Sequence, residues 1–432
     1  MVSEFVPGRG SRPSAVVWDR DYRYPNHPLP GVPRPAAADP TGQPTDPGVL
    51  RRVSELVDEF TAQYERIKGR PPAFGTTVTE ADLAAAEARL GARLPEDIRA
   101  LYLLVGDDPD EIGLLGRWSL MSLDRVVDLY GFDGPGVGGY EDGLFDLDRV
   151  VLESEPAGYV RRLSRDDWWI IVGTDGGGWN LVVDLDPGPL GRSGQLLKTG
   201  RGIDNTVDYV AESATSVLAA VVAAARADRF DPILIENLDE DPDDDEYEDI
   251  GVLIDEFHTS YPQSFAMVGR ALAEVVAEFP DPLLVQALSL HTATALDLTA
   301  LAGTPRLRRL FVNATGHVRA SVPPLLESLT ITAGSVDWAA LAGHPTLWEL
   351  TVTGAPVRAA DLAALPALTR LDLSATEVDD VAALADLDLR VLILNPAQWD
   401  KLARLPARLV CAGFVGDGAE DWAARIREIH PG

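Results

Sequence analysis

The stretch that decides the fold is "LTRLDLSATEVDDVAALADL", residues 368–387, in which leucines follow the pattern L-x-x-L-x-L. The same pattern, with Val or Ile allowed at its last position, starts at Leu307, Leu326, Leu347, Leu368 and Leu389. These starts are separated by 19, 21, 21 and 21 residues, and a degenerate copy starts at Val285. A unit of this length cannot bury its apolar side chains alone, so consecutive units stack on one another. The sequence therefore predicts a solenoid of short parallel strands.

The repeated pattern resembles bacterial leucine-rich repeats, with stretches such as "WAALAGHP" forming helical turns on the convex side. Because an open end of a solenoid exposes its core, we expect a helical cap at each end. Upstream, "YPQSFAMVGRALAEVVAEF" carries apolar residues at helical spacing, namely Val268, Leu272, Val275, Val276 and Phe279. Downstream, "EDWAARIREI" carries Trp422, Ile426 and Ile429 at the same spacing.

In the predicted strands, the residues that alternate with the leucines face the open, concave side of the sheet. Their mixture of hydroxyls, opposite charges and one Phe is typical of a protein-binding surface. The candidate protein-binding residues on this side are Arg309, Phe311, Glu349, Arg370, Asp372, Ser374 and Asn395. An ordinary solvated sheet face is the alternative for any one of them.

Three glycines lie between two apolar runs in "WWIIVGTDGGGWNLVVDLD", residues 168–186. A glycine-rich loop that binds phosphate is followed by a helix, and in P-loops by Lys and Ser or Thr. Here Trp179, Asn180 and a strand-like run follow, so the pattern predicts a β-hairpin rather than a nucleotide site. Trp179 at the hairpin tip is a further candidate protein-binding residue, since exposed tryptophans often anchor interfaces. Core packing is the alternative.

This hairpin and the preceding "VTEADLAAAEARLGARLPEDIRALYLLVGD" resemble the SUKH superfamily over residues 75–225. The matching residues are Glu87, Leu90, Gly91, Leu94, Pro95, Ile98 and Tyr102 in the helices, and Ile171, Gly173, Asp175, Gly178, Leu181 and Asp184 in the hairpin. The resemblance implies an antiparallel sheet with flanking helices. The sequence departs from the family pattern at "VGDDPDE" and at Asn180, which bears on loop contacts more than on the fold.

The chain as a whole is predicted to be an α+β protein with four regions. Residues 1–48 contain ten prolines and no periodic apolar pattern, which predicts an extended or disordered arm. Residues 49–228 form the SUKH-like domain, and residues 252–432 form the leucine-rich-repeat domain with its caps. Between them, residues 229–251 contain an acidic block that predicts a solvated linker. A calcium loop is the alternative, but the block lacks the central Gly and terminal Glu of an EF-hand.

Composition narrows the possible partners. The net charge of −31 disfavours nucleic acid, whose phosphates would be repelled, and favours a basic partner; solubility alone is the alternative reason for it. No apolar run approaches the roughly 20 residues of a membrane span, and the N-terminus has no apolar signal core. We therefore expect a cytoplasmic protein without a membrane partner. Cys411, the single cysteine, is expected to be a buried structural thiol.

No catalytic constellation is recognisable in the sequence. The histidines at His258, His291, His317 and His344 are far apart and match no metal-binding spacing. There is also no G-x-S-x-G nucleophile elbow. We therefore expect no enzymatic activity, no cofactor and no metal.

The SUKH family includes fungal cell-wall assembly regulators and bacterial toxin-immunity proteins. Together with the charge, the resemblance implies a non-enzymatic bacterial protein that binds another protein. The first hypothesis is an immunity protein that occludes a basic toxin domain. The second is a scaffold or regulatory subunit that joins two partners in a larger assembly, and a hydrolase or nucleotide-dependent enzyme is the weakest. The sequence leaves the partner, the module that binds it and the oligomeric state open.

Overall fold

The computed structural model describes residues 15–18, 24–27, 31–109, 112–133, 150–200, 207–229, 231–232, 250–251, 263–266, 271–292 and 294–429. The chain divides into two compact units. The parallel-sheet unit comprises Met1–Tyr22 and Ser260–Gly432, and the α+β unit comprises Arg23–Thr259. This division differs from the four predicted regions, because the N-terminal arm is shared between the units. The acidic block, with its calcium alternative, lies outside the described residues.

The first strand, β1 (Ala15–Trp18), belongs to the parallel-sheet unit. The helices of the α+β unit are α1 (Pro47–Lys68), α2 (Glu80–Leu90), α3 (Glu96–Leu104), α4 (Leu123–Asp133) and α5 (Ala214–Arg226). Its strands are β2 (Ser119–Leu120), β3 (Trp169–Thr174), β4 (Trp179–Asp184), β5 (Gln195–Gly200) and β6 (Asp208–Ala211), with a separate short pair of β7 (Asp231–Pro232) and β8 (Ile250–Gly251). Strands β2 to β6 pair with their neighbours in chain order, and every pairing is antiparallel. This is the antiparallel sheet with flanking helices that the family resemblance predicts.

Local signals in the sequence determine where α2 ends and α3 begins. The Asp82 N–H donates to Thr79 Oγ1 at 3.3 Å, and the Thr79 N–H donates to the Asp82 carboxylate at 2.8 Å, so the two residues form a capping box at the start of α2. Helix α2 ends at Gly91, whose φ of 68° is the left-handed conformation that glycine adopts without strain. Pro95 then stands at the N-cap of α3, where its missing N–H removes no helical hydrogen bond.

A buried arginine joins these two helices to the segment that leads into α1. Arg99 is 1% exposed, and its guanidinium donates to Glu87 Oε1 at 2.5 Å and to Glu80 Oε2 at 2.5 Å. Its Nε donates to Thr45 Oγ1 at 3.1 Å. A guanidinium at this depth is tolerated only because charges and hydrogen bonds compensate it. Arg99 therefore fixes α2, α3 and the start of α1 against one another.

Replacing Arg99 by Leu is expected to lower the free energy of unfolding by about 3–5 kcal/mol, because the buried Glu87 carboxylate loses its closest cation. Arg89→Leu provides the matched control. Its exposed pair with Asp128, 2.9 Å apart, is expected to contribute less than about 1 kcal/mol. Urea unfolding of both full-length variants measures the difference, and equal losses would contradict the role given to Arg99.

The parallel-sheet unit contains one large sheet together with short strands and helices. The strands of the large sheet are β1, β9 (Gln263–Ala266), β10 (Ala287–Thr292), β12 (Arg309–Ala314), β14 (Ser328–Thr332), β16 (Glu349–Thr353), β18 (Arg370–Ala375), β20 (Val391–Leu394) and β21 (Cys411–Phe414). The strand order is β1-β21-β20-β18-β16-β14-β12-β10-β9, and every pairing is parallel except that of β1. The short strands are β11 (Leu296–Asp297), β13 (His317–Arg319), β15 (Ser335–Val336), β17 (Val357–Arg358) and β19 (Val378–Asp379), and the helices are α6 (Leu272–Val276), α7 (Ala359–Leu362), α8 (Pro396–Trp399) and α9 (Ala419–Ile429).

The apolar pattern of the repeats explains this sheet. Pairing brings equivalent leucines of successive repeats side by side, as with Leu310, Leu329 and Leu350. The residues at the three apolar positions of all five complete patterns are buried in one continuous core. Because strand residues alternate between faces, these leucines occupy one side, and the side chains between them occupy the other. The arrangement is consistent with the predicted solenoid.

The downstream end of the large sheet is covered twice. Strand β1 pairs antiparallel with β21. The N-terminal arm thus supplies the edge strand next to the last repeat, which lies near the C-terminal end of the sequence. Helix α9, which was predicted as the cap, buries Trp422 and Ile426. The indole of Trp422 stacks on Phe414 with ring centroids 5.0 Å apart. The last repeat therefore exposes neither its apolar core nor a free strand edge.

The upstream end differs from the predicted long helix. Residues 263–266 form β9, which extends the sheet parallel to β10, and the helix is reduced to α6. Leu272, Val275 and Phe279 are buried as predicted, whereas Val268 lies outside the described residues. The strand is favoured because it satisfies the backbone groups at the edge of β10, which a helix would leave unpaired.

Removing residues 1–18 is expected to cause self-association, because β21 would then offer unpaired N–H and C=O groups to other chains. Removing only residues 1–14 leaves β1 in place and is expected to cause none. Size-exclusion chromatography with light scattering at matched concentrations compares the two truncated proteins. Identical elution of both would contradict the assigned role of β1.

Candidate functional site

The open face of the large sheet carries most of the candidate binding residues in two columns. In the first, Arg309, Ser328, Glu349, Arg370 and Val391 are neighbours on successive strands. In the second, Phe311, Thr330, Thr351, Asp372 and Ile393 are neighbours. Strand register thus brings these candidates onto one surface, as the repeat spacing predicts.

Glu349 and Arg370 are buried rather than open to a partner. They are 2% and 3% exposed, and Arg370 Nε donates to Glu349 Oε1 at 3.0 Å. The two charges sit at the same position of successive repeats, which places them 21 residues apart and side by side. The expectation that they serve as open contact residues therefore needs correction: they pair with each other within the sheet face.

Asp372, Ser374 and Asn395 hold the local backbone. Asp372 Oδ1 accepts from the Ser374 N–H at 3.0 Å and from its hydroxyl at 2.7 Å, and both residues are buried. A register shift pairs Thr353 with Ala375, so Ser374 is not the neighbour of Thr353 that the 21-residue period predicts. Asn395 caps α8, where its side chain accepts from the Gln398 N–H at 3.1 Å. These residues are accounted for by a turn and a cap rather than by an open surface.

Arg309 and Phe311 remain accessible on the open face. Both are half-buried and lie on β12, and the Phe311 ring contacts His291 with ring centroids 5.3 Å apart. Asn313, two residues further on the same strand, is exposed. Arg309 and Phe311 are two residues apart on β12 and so lie on the same face, and arginine and aromatic side chains carry much of the binding energy at protein interfaces.

The glycine-rich loop is the tip of a hairpin, as predicted. Residues 175–178 connect β3 to β4, with φ of 68° at Gly176 and 103° at Gly178. Asp175 Oδ1 accepts from the N–H groups of Gly177 and Trp179, each at 2.9 Å. The loop N–H groups that would hold a phosphate are thus taken by a carboxylate, which would also repel one.

Trp179 lies at the start of β4, half-buried against the core of the α+β unit. The ammonium of Lys198 sits 4.2 Å from the centre of its ring, a cation–π contact, and is 3.5 Å from Asp208. Arg117 reaches Asp175 at 3.3 Å beside the same turn. The hairpin tip therefore presents an aromatic residue with both charges around it.

The remaining candidates for chemistry are isolated side chains. Burial raises the pKa of the Cys411 thiol to about 12, so it stays protonated and unreactive. Among the described histidines, His344 meets the Pro323 carbonyl at 2.9 Å and His317 meets Ser335 at 3.0 Å; His258 is not among them. Within the described ranges, no His, Cys, Asp and Glu side chains group as metal ligands would. None of the helices described there could cross a membrane.

Comparison with known proteins identifies the region around the hairpin. Residues 77–220 match the sequence model of the SMI1/KNR4 family (SUKH-1). These residues form a SUKH domain. The chain is also similar to the cell wall biosynthesis/cell cycle regulator smi1 of Schizosaccharomyces pombe, with 28% identity over 158 residues. That similarity covers 35% of this chain and 31% of the relative, so the chain spans about a third of the length of the protein it matches.

The residues that carried the resemblance are structural in this SUKH domain. Leu90, Leu94, Ile98 and Tyr102 are buried in its core. Glu87 is buried as the partner of Arg99 and accepts from the Leu94 N–H at 2.9 Å. The motif residues therefore determine how α2 and α3 are joined, and they do not identify what the domain binds.

Two buried carboxyls of the SUKH domain were not predicted from the sequence. Burial raises the pKa of Asp166 to about 7, and the nearby charges of Asp186 and Asp184 also raise it. The hydrogen bond that Asp166 accepts from the Trp168 N–H acts in the opposite direction. Burial raises the pKa of Asp184 to about 7 as well, although Gln195 donates to it at 2.7 Å and the Asp186 N–H at 2.9 Å. Asp184 stands at a family-motif position, but only the fold reveals that Asp166 lies beside it.

These carboxyls are expected to make the folded state less stable as pH rises. The folded protein holds their protons up to about pH 7, whereas the unfolded chain releases them near the ordinary value of 3.8. Stability from this source is thus present at low pH and is lost between about pH 4 and 7. The gain in unfolding free energy of Asp166→Asn over wild type is expected to be about 2 kcal/mol larger near pH 8 than near pH 5, because the wild-type carboxyl keeps losing stability as pH rises to its folded pKa.

Urea unfolding at the two pH values measures this change. Asp58→Asn, at an exposed position of α1, is the matched control and is expected to follow the wild type at both. A constant difference between Asp166→Asn and wild type across this range would contradict the assignment.

Proposed function

We propose that this chain is a non-enzymatic, cytoplasmic bacterial protein that binds another protein, and that it is a toxin-immunity protein whose binding occludes its cognate toxin. The observation that carries the proposal is the SUKH domain at residues 77–220, because SUKH membership suggests protein interaction or immunity. The net charge of −31 supports a basic partner, since opposite charge speeds encounter and orients approach.

Two surfaces have the composition of contact sites. We propose that the parallel-sheet unit is a leucine-rich-repeat solenoid and that Arg309 and Phe311 anchor a partner on its open face. In the α+β unit, Trp179 and Lys198 offer a second anchor at the hairpin tip. Interface energy concentrates in a few aromatic and arginine side chains of this kind.

A regulatory or scaffolding role is the second candidate. The observation in its favour is the relative from Schizosaccharomyces pombe, which is described as a cell wall biosynthesis/cell cycle regulator. In this role, the two units would each bind a different partner within one assembly.

The products of the neighbouring genes are the candidate toxins, and each is to be expressed alone and together with this chain. We expect one of them to arrest growth alone, growth to be restored by co-expression, and the purified chain to inhibit that toxin at equal stoichiometry. Phe311→Ala or Trp179→Ala is expected to weaken the complex at least about ten-fold, according to which surface binds. Leu325→Ala, at an exposed position outside the strands, is the control.

The outcomes separate the two functions. Simultaneous binding of two partners without inhibition of either would favour the scaffold. A toxin that kills equally well in the presence of this chain, with no complex formed with any neighbouring product, would contradict immunity.

A further inference from the structure

The proline-rich arm contributes an extended segment to the α+β unit, held almost entirely through its main chain. In "GVPRPAAAD", residues 31–39, Gly31 has a φ of 96°, and the backbone is extended at Pro35 and Asp39 on either side of one short turn at Ala36–Ala38. The N–H groups of Gly31 and Val32 donate to Asp167 Oδ2 at 2.7 and 3.0 Å. Main-chain recognition of this kind depends on the shape of a segment more than on its side chains.

A tryptophan makes the central contact. The indole N–H of the buried Trp168 donates to the carbonyls of Val32 and Pro33, at 3.0 and 3.1 Å. Prolines keep such a segment extended before it binds, which lowers the entropy cost of binding. An aromatic side chain that meets the carbonyls of an extended proline-bearing segment is the usual way in which proteins bind such peptides.

The contacts of Ala38 and Arg34 favour a small residue at the first position and a basic residue at the second. The Arg93 N–H donates to the carbonyl of Ala38, whose methyl group is 1% exposed, so a larger side chain would not fit there. Arg34 donates to the Gly91 carbonyl at 2.6 Å, at the end of α2, and to Asp39 at 2.8 Å. We call the surface that contacts residues 31–39 the arm groove; it consists of Gly91, Arg93, Asp167 and Trp168.

Most of residues 31–39 are exposed, although the segment makes several hydrogen bonds. Pro33, Arg34, Ala36, Ala37 and Asp39 are exposed, and Val32 is only half-buried, so the segment buries little apolar surface. Segments with few apolar contacts open at low free-energy cost. If the arm leaves, the Asp167 carboxylate and the Trp168 N–H lose their partners, and another extended main chain can supply the same groups.

We propose that the arm groove is a binding site for an extended, proline-bearing segment of a partner protein, and that residues 31–39 of this chain occupy it until such a segment displaces them. The partner segment is expected to resemble residues 31–39 at three positions. It has a proline at the position of Pro33, a basic residue at the position of Arg34 and a small residue at the position of Ala38. This inference goes beyond the proposed function and does not depend on a toxin partner or on the open sheet face.

The test uses the full chain in two forms, wild type and a variant in which residues 31–39 are replaced by Gly and Ser in equal number. A fluorescent peptide of residues 28–41 is titrated with each, and its anisotropy is measured. We expect saturable binding to the replaced variant and at least about ten-fold weaker binding to wild type, because the tethered arm competes at millimolar effective concentration. Circular dichroism establishes that both proteins are folded.

Two further comparisons distinguish the groove from non-specific adhesion. In the replaced variant, Trp168→Phe removes the indole donor and is expected to weaken peptide binding about ten-fold. Trp338→Phe, which removes a comparable indole donor in the parallel-sheet unit, is expected to leave peptide binding unchanged. A peptide with Leu in place of Ala38 is expected to lose binding. The proposal is overturned if the folded replaced variant does not bind the peptide, or if both proteins bind it equally. It is also overturned if Trp168→Phe has no effect.

Discussion

The ion-pair network of Arg99 is the interaction on which the α+β unit depends. One guanidinium, buried to 1% exposure, meets carboxylates from both ends of α2 and the hydroxyl of Thr45. Burying these charges is costly, and replacing them all with apolar residues would often be neutral or better for stability. Their value is positional, because the pairs are satisfied in only one arrangement of α2, α3 and the arm. The position of Gly91 and Arg93, and hence one side of the arm groove, follows from that arrangement.

The repeats and the hairpin could be predicted from sequence because short-range rules govern them. A leucine pattern with a period of 21 residues specifies which side chains are buried, and parallel pairing repeats that choice on each strand. Glycines flanked by two apolar runs specify a turn between strands. The capping box at Thr79 and the glycine at the end of α2 are equally local. In each case, the residues that decide the structure lie within one repeat or one turn of each other.

The arm and the sheet surface could not be predicted in this way, because their contacts are distant in sequence. Pairing of residues 15–18 with residues 411–414 leaves no mark in either segment, since main-chain hydrogen bonds need no particular side chain. The prolines indicated an extended arm, but its attachment depends on Asp167 and Trp168, which lie more than a hundred positions away. The burial of Glu349 and Arg370 did leave a signal. Opposite charges at one position of successive repeats predict a pair as well as they predict an open surface.

The surfaces available for binding a partner are those whose side chains do not hold the fold together. In the described sheet, leucines fill one face, and the pair of Glu349 and Arg370 removes charge from the other, so accessible contact area narrows to the neighbourhood of Phe311. In the SUKH domain, the family residues are used to join helices, which leaves the hairpin tip and main-chain donors and acceptors for the contacts that we propose. Side chains that hold a fold cannot vary freely, whereas tips and grooves can. A family built on such a core can therefore keep its fold while its partners change, and the large net negative charge acts over distance without any single contact residue being fixed.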